Sequence, residues 1–475
     1  MNTICAISTP YGSGGIAVVR VSGESAIQIV DSLFHGRKPL SEAKAYTVHY
    51  GEIRREAIGV EVLDQVLVSV FRAPHSFTGE DVVEIACHGS IYIQQTILQW
   101  LVDAGCLLAK AGEFTQRAFL NGKMDLTEAE AVADLIAAQT KAEKDLALSQ
   151  LRGGISNELA ILRERLLTFT SLIELELDFA DHEELEFADR SELNNLANEI
   201  NTKISSLVSS FKTGNAIKQG IPVAIIGAPN VGKSTLLNAL LGEERAIVSD
   251  IHGTTRDVIE DTVNLHGITF RFIDTAGIRQ TTDVVESIGI KRTYQKMQQA
   301  SIVLWMIDAI QETHPIPPCE GGSTNLLQSQ VLPHREDLGG SPKPLLLLFN
   351  KCDQVSPEER TALEQAYAHI NAPKLFISAK SRIGLDTLES HLVEAAALPD
   401  ISQSDVIVTN ARHYEALTHA LGAIRRVQDG LTMNLSGDFV SQDLRECIHH
   451  LSDIVGEVST DSVLQNIFKH FCIGK

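Results

Sequence analysis

The stretch that decides the fold is Gly227–Ala–Pro–Asn–Val–Gly–Lys–Ser234, GAPNVGKS. It matches G-x-x-x-x-G-K-[ST] and stands between an apolar run, IPVAII (221–226), and a helix-forming run, STLLNALL (234–241). Two glycines in that spacing let the backbone wrap an anion with its N–H groups, and the helix that follows points its positive end at the same place. Lys233 adds a charge between a β- and a γ-phosphate, and the Ser234 hydroxyl is a Mg²⁺ ligand in such a loop. A glycine-rich turn before a helix is the bland alternative. The flanking strand and helix argue against it.

Four further short segments follow in order. Gly253–Thr254–Thr255–Arg256–Asp257 offers the Thr255 hydroxyl to a metal shell. Asp274–Thr275–Ala276–Gly277 ends an apolar run, with an acid for a metal-bound water and a glycine N–H for a γ-phosphate. Asn350–Lys351–Cys352–Asp353 follows PLLLLF, and its Asp353 carboxylate accepts from both N1–H and the 2-amino group of guanine. Adenine lacks those donors and would leave the acid unpaired, at a heavy cost. Ser378–Ala379–Lys380 ends the last apolar run, where its backbone meets the guanine carbonyl. Together the five segments read as a complete guanine-nucleotide site and a GTP-hydrolysing protein.

The residue after the D-x-x-G glycine is Ile278, which cannot orient a water. Arg279, Asp283 and Glu286 in the following segment are the candidate groups, and spacing alone does not choose among them. Asn230 inside the loop is either a ligand for a monovalent cation beside the phosphates or a stabiliser of the loop's own backbone.

Outward from this core, residues 216–390 alternate apolar runs (IPVAIIG, TFRFIDT, SIVLWMID, PLLLLFN, KLFIS) with helical stretches, the pattern of a parallel sheet covered on both faces. Residues 311–344, rich in Pro, Gly, Ser and Gln, interrupt it as a surface insertion with no chemistry assigned. Upstream, 1–120 reads as mixed α/β, with IAVVRVSG, DQVLVSVFRAP and VVEIACHGS as strands and IYIQQTILQWLVDAG as a helix stopped by glycine. Residues 121–215 are helical, with Thr127 and Glu130 expected to form a capping box and Gly153–Gly154 to break the array. Residues 391–475 turn helical again and are expected to pack on the earlier helices, with the α/β unit inserted between the two halves.

The chain has 475 residues, 44% apolar and 21% charged, with a net charge of −21. That acidity excludes a wholly nucleic-acid-binding surface. No apolar run reaches the ~18 residues of a membrane span, and the start lacks a secretory pattern, so a cytoplasmic protein is expected. Seven scattered cysteines without a C-x-x-C pair suit reduced thiols.

Beyond the GTPase segments, the chain carries STPYGSGGIAVVRVSG (8–23), SFTGEDVVEIACHG (76–89), GEFTQRAFLNGKMDLTEAEAVADLI (112–136) and a terminal Cys472–Ile473–Gly474–Lys475. In this combination the whole chain resembles the MnmE (TrmE) family of tRNA-modification GTPases. The resemblance implies an α/β P-loop GTPase domain inserted into an α-helical domain, plus an N-terminal α+β domain that binds folate and dimerises. It implies work with a flavoprotein, MnmG (GidA), in a heterotetramer-type complex. The product would be an aminomethyl or carboxymethylaminomethyl group at C5 of the tRNA wobble uridine. The one-carbon unit would come from a tetrahydrofolate derivative, 5-formyl- or methylene-tetrahydrofolate.

By the same resemblance, Glu286 positions the hydrolytic water, and Mg²⁺ takes Ser234 and Thr255. K⁺ takes Asn230, Ser249, Ile251 and Thr254 and brings two GTPase domains face to face. The nucleotide-contacting set then comprises Asn230, Val231, Gly232, Lys233, Ser234 and Thr235 in the loop, and Ser249, Asp250, Ile251, His252, Gly253, Thr254 and Thr255 in the switch. It continues with Asp274, Thr275, Ala276 and Gly277, then Asn350, Lys351, Asp353, Ser378, Ala379 and Lys380. Arg20, Glu84, Lys123 and Lys475 match folate positions: cations suit the glutamate carboxylates, and Glu84 suits the pterin's donor edge. Cys472 is open between a catalytic thiol, a buried structural thiol and a passive part of that pocket. His88 and His252 are read as structural. The competing functions are a GTP-controlled ribosome-assembly factor and a nucleotide-gated scaffold. The acidic balance and the folate-like opening weigh against both.

Overall fold

The computed structural model describes residues 2–56, 60–178, 190–242, 261–273, 299–313, 343–396 and 406–457, with 464, 467–469, 471 and 474 near the end. It divides into two compact units. One holds residues 1–138, 145–208 and 411–475, the other 139–144 and 209–410.

The first unit contains a seven-stranded sheet of β1 (Ile4–Ile7), β2 (Gly14–Ser22), β3 (Phe34–Gly36), β4 (Thr47–Glu56), β5 (Val60–Phe71), β6 (Val82–Gly89) and β7 (Leu107–Leu108). Their order across the sheet is β3-β4-β5-β6-β2-β1-β7. Alternation decides which face is which. In β6, Val83, Ile85 and Cys87 enter the core while Glu84 and His88 face outward, the period of two that a half-buried strand requires. The helix Ile91–Asp103 lies against the inner face, burying Ile97 and Leu101 beside Val19, Val21 and Val68. It returns the chain to β7, which pairs in parallel with β1.

The helical part of this unit comprises Leu126–Ala137, Gly154–Asp178, Ala411–Thr432 and Gly437–Val455, joined by Lys141–Leu151 and Arg190–Gln219, which the unit boundaries divide. The late helices pack on the early ones, as expected: Arg412 pairs with Glu130, and Ser441 and Arg445 donate to Glu174. Gly153, at φ 79°, breaks the array where the glycine pair predicted it. The capping box is shifted. Asp125 is the N-cap, accepting from Glu128 N–H at 2.9 Å while the Glu128 carboxylate accepts from Asp125 N–H. Thr127 and Glu130 are buried instead, because their positions face the helix bundle.

The second unit is built on β8 (Ile221–Gly227), β9 (Asp261–Leu265), β10 (Ile268–Phe272), β11 (Ile302–Asp308), β12 (Leu345–Asn350) and β13 (Lys374–Phe376), in the order β13-β12-β11-β8-β10-β9. The expected parallel sheet is present except at one edge. There β9 pairs antiparallel with β10, a hairpin the sequence reading missed. His266 and Gly267 at its tip both have positive φ, 54° and 84°, the backbone a two-residue hairpin needs. The interior strands are apolar on both sides: Val223 and Ile225 of β8 face one core, Ala224 and Ile226 another. Of the insertion at 311–344, residues 314–342 lie outside the described residues.

Candidate functional site

Strand β8 runs through the middle of its sheet and delivers the GAPNVGKS loop at its carboxyl end. Gly227 leaves the strand at φ 148°, where an added Cβ would lie 2.3 Å from the Met306 carbonyl of β11. Gly232 closes the loop at φ 103°, and a Cβ there would lie 2.3 Å from the Asn350 amide nitrogen. Both glycines are therefore required by space as well as by conformation. The helix Lys233–Leu241 starts directly after Gly232 with no side-chain cap on its first N–H groups. The Lys233 ammonium donates to the Gly227 and Ala228 carbonyls at 2.8 and 2.7 Å, which holds it over the loop. Asn230 adopts φ 62° and is exposed. An Asn tolerates that conformation well, which favours its backbone role without removing its amide from a cation's reach.

On the base side, Asn350 ties three of the motifs together. It is 3% exposed; its amide donates to Val231 O at 2.7 Å and its oxygen accepts from Ala379 N–H at 3.0 Å. Ser378 is buried, and its hydrogen bond, aided by Lys380, holds the Asp353 carboxyl below the usual carboxylate range. Asp353 is thus an ionised acceptor at neutral pH, and it is exposed. Val231, Ser234 and Thr235 complete the described part of the loop. Ser249, Asp250, Ile251, His252, Gly253, Thr254, Thr255, Asp274, Thr275, Ala276, Gly277 and Glu286 lie outside the described residues. Asp308, at the end of β11, was not singled out by sequence reasoning, yet it pairs with Lys351 Nζ at 2.5 Å. Its signal was an acid closing the apolar run SIVLWMID.

In the other unit, the cross-strand register places Arg20 of β2 beside Glu84 of β6. Arg20 Nε and Nη2 both donate to Glu84 Oε1, at 2.9 and 2.8 Å, so the two residues pair with each other. The guanidinium lies 5.5 Å from the Phe77 ring centre and 5.7 Å from that of Phe114. Nearby, Glu80 accepts from Ser22 Oγ and from the buried Arg117, which also binds Glu113. Lys123 donates to Pro74 O at 3.0 Å. Phe77, Phe114, Glu80 and Arg117 all lie inside the quoted motifs but were missed individually. The chain's end reaches the same sheet: Gly474 O accepts from Ser8 Oγ at 3.1 Å, and Ile7 is the register partner of Val19 beside Arg20. Cys472 and Lys475 are outside the described residues. His88 is held by Asp64, its backbone N–H at 2.8 Å and its Nδ1 at 2.7 Å.

The donor sets fit two kinds of ligand. The glycine-lined loop, with its ammonium and uncapped helix start, suits a polyphosphate, and Ser234 is the described candidate for Mg²⁺ there. The Arg20–Glu84 pair between two aromatic rings suits a flat, polar heterocycle with an anionic tail, and the buried Thr115 Oγ1 and Arg117 Nε beside it lack hydrogen-bond partners.

Comparisons with known proteins cover the whole chain. The family model "GTP-binding protein TrmE N-terminus" matches residues 3–123, and "MnmE helical domain" matches residues 126–472. The tRNA modification GTPase MnmE of Bacteroides fragilis is 58% identical over 480 residues, covering 100% of this chain and 99% of that one. Its counterpart in Parabacteroides distasonis is 57% identical and covers 100% of both. The chain belongs to the MnmE family of tRNA modification GTPases. Membership accounts for the fold class: a P-loop GTPase domain with an N-terminal domain and a helical domain. Among solved structures, a GTP-binding protein from Sulfolobus solfataricus in complex with GDP aligns at 17% identity over 53% of this chain and 71% of that one, with a TM-score of 0.26. No described helix is long and apolar enough to cross a membrane.

Proposed function

We propose that this protein hydrolyses GTP with Mg²⁺ and K⁺ and, with an MnmG-type flavoprotein, adds an aminomethyl or carboxymethylaminomethyl group to C5 of the tRNA wobble uridine, in the cytoplasm. The observation that carries the nucleotide half is the Asn350 amide bridging the phosphate loop and the Ser378–Lys380 segment, which sets the phosphate and base ends of one pocket in fixed relation. Within it, Lys233 neutralises the phosphates, Ser234 with Thr255 ligates Mg²⁺, and Asp353 selects guanine. Glu286 orients the attacking water. Asn230, Ser249, Ile251 and Thr254 hold K⁺, and the ion's charge substitutes for an arginine finger.

For the modification half, Arg20, Glu84, Lys123 and Lys475 bind the tetrahydrofolate derivative that carries the one-carbon unit. The cation–π environment of Arg20 and the arrival of Gly474 beside β1 support this reading. A homodimer through the N-terminal domain is supported by an exposed apolar stripe on β4 and β5, where Tyr50 stands opposite Leu67 and Tyr46 and Val48 continue the row.

The deciding experiment assays wobble-uridine modification with both proteins, GTP and folate, omitting each in turn. Modification that persists without this chain or without GTP would end the proposal. Hydrolysis is expected to be faster in K⁺ than in Na⁺ at equal ionic strength, and equal rates would remove Asn230 as a ligand. Glu286→Ala is expected to cut turnover while leaving GTP affinity nearly intact.

A further inference from the structure

Lys351 occupies an awkward place. It follows Asn350 directly at the end of β12 and takes left-handed backbone angles, φ 68° and ψ 31°, that a non-glycine residue adopts only under compulsion. Its long side chain reaches to the neighbouring strand, where Asp308 is the register partner of Asn350. Lys351 Nζ meets Asp308 Oδ2 at 2.5 Å, with the carboxylate 7% and the lysine 34% exposed. The other oxygen, Oδ1, accepts from Ile310 N–H at 3.1 Å, at the start of the short helix Ala309–Thr313. The carboxylate is thus held from both sides, and it fixes the lysine two residues before Asp353.

We propose that Asp308 is a positioning residue for guanine-nucleotide recognition: by tethering the Lys351 ammonium it sets the lysine stem as one wall of the base pocket before the nucleotide arrives. This rests on the nucleotide reading of the site. A free lysine would have to surrender its rotamer freedom on binding, whereas a tethered one has already done so. Asp308 therefore acts on affinity for the nucleoside half of the ligand, equally for GDP and GTP.

The two functions of the carboxylate can be separated. Asp308→Asn keeps an acceptor for Ile310 N–H and the side chain's size but removes the charge that holds Lys351. On the full chain, titration with N-methylanthraniloyl-GDP and its GTP counterpart is expected to show Kd raised about tenfold for both. Lys351→Gln is expected to produce a similar rise, and the double variant no more than about twofold beyond the larger single effect, because the two residues act as one unit. Asp308→Glu is expected to restore part of the affinity. Binding by Asp308→Asn within twofold of the unaltered chain would overturn the proposal, as would multiplicative effects in the double variant. Loss of cooperative melting in Asp308→Asn would overturn it too, making the carboxylate a folding element. If the unaltered chain bound no guanine nucleotide, the reading of the whole pocket would fall, and Asp308's part with it.

Discussion

The nucleotide pocket and the Arg20–Glu84 cluster differ in what a ligand must displace. At the phosphate loop, the Lys233 ammonium donates to the Gly227 and Ala228 carbonyls, which hold it over the turn that an incoming phosphate would enter. At the N-terminal sheet, the guanidinium already faces a carboxylate, with side-chain exposures of 17% and 29%. A ligand there has to share or break an ion pair whose two halves neutralise each other. Backbone geometry makes the first site ready for an anion. The second is an ion pair already closed on itself.

That contrast can be attacked directly. The largest expected effect is on the loop: Lys233→Ala should lower GTP affinity more than 100-fold, since it removes charge-assisted hydrogen bonds worth about 1.5–3 kcal/mol each. Tetrahydrofolate binding, measured on the same protein, should not move. A parallel fall in both would mean the two sites are not independent.

Next comes a control on ion pairs that have no ligand to bind. Burial pushes the Glu130 carboxyl up, but His413 at 2.6 Å and the Arg412 guanidinium more than offset it and bring it down from 4.5 to about 2. A carboxyl depressed by folding stabilises the fold above its unfolded value and loses that stabilisation as pH falls through the folded one. The helical part of the first unit should therefore lose about 3 kcal/mol of stability as pH drops from 4.5 towards 2. Acid melting followed by circular dichroism tests this, and Glu130→Gln should flatten the pH dependence.

Asp353→Asn should cost about 10- to 100-fold in guanosine over adenosine preference and shift it towards xanthosine, whose 2-oxo group accepts where guanine donates. Competition binding with the three nucleotides reads this out. The smallest effect belongs to the half-buried Arg20–Glu84 pair: Glu84→Gln should weaken tetrahydrofolate binding about tenfold. An unchanged Kd would leave Glu84 as nothing more than a partner for Arg20.

Much of the second unit was legible beforehand, for local reasons. Its interior strands are uniformly apolar runs, because they are covered on both faces, and the phosphate loop and the Asn350–Asp353 segment each follow one. The edge hairpin was not legible, since DTVNLHGITF mixes polar and apolar residues as a strand facing solvent does, and its turn signal is the His266–Gly267 pair alone. The capping box was misplaced by two residues because Asp125 and Thr127 are both good caps. Burial against Ser156 and the late helices decided between them.

The amino-acid order by itself determined the phosphate loop and the family, because a loop that grips an anion is made by eight consecutive residues and their backbone. Tertiary structure alone decided that Arg20 meets Glu84, 64 positions away, and that Asp308 meets Lys351, 43 positions away. Those pairings follow from strand register. Register is settled by which faces the whole sheet can bury, and no short stretch of sequence contains that information.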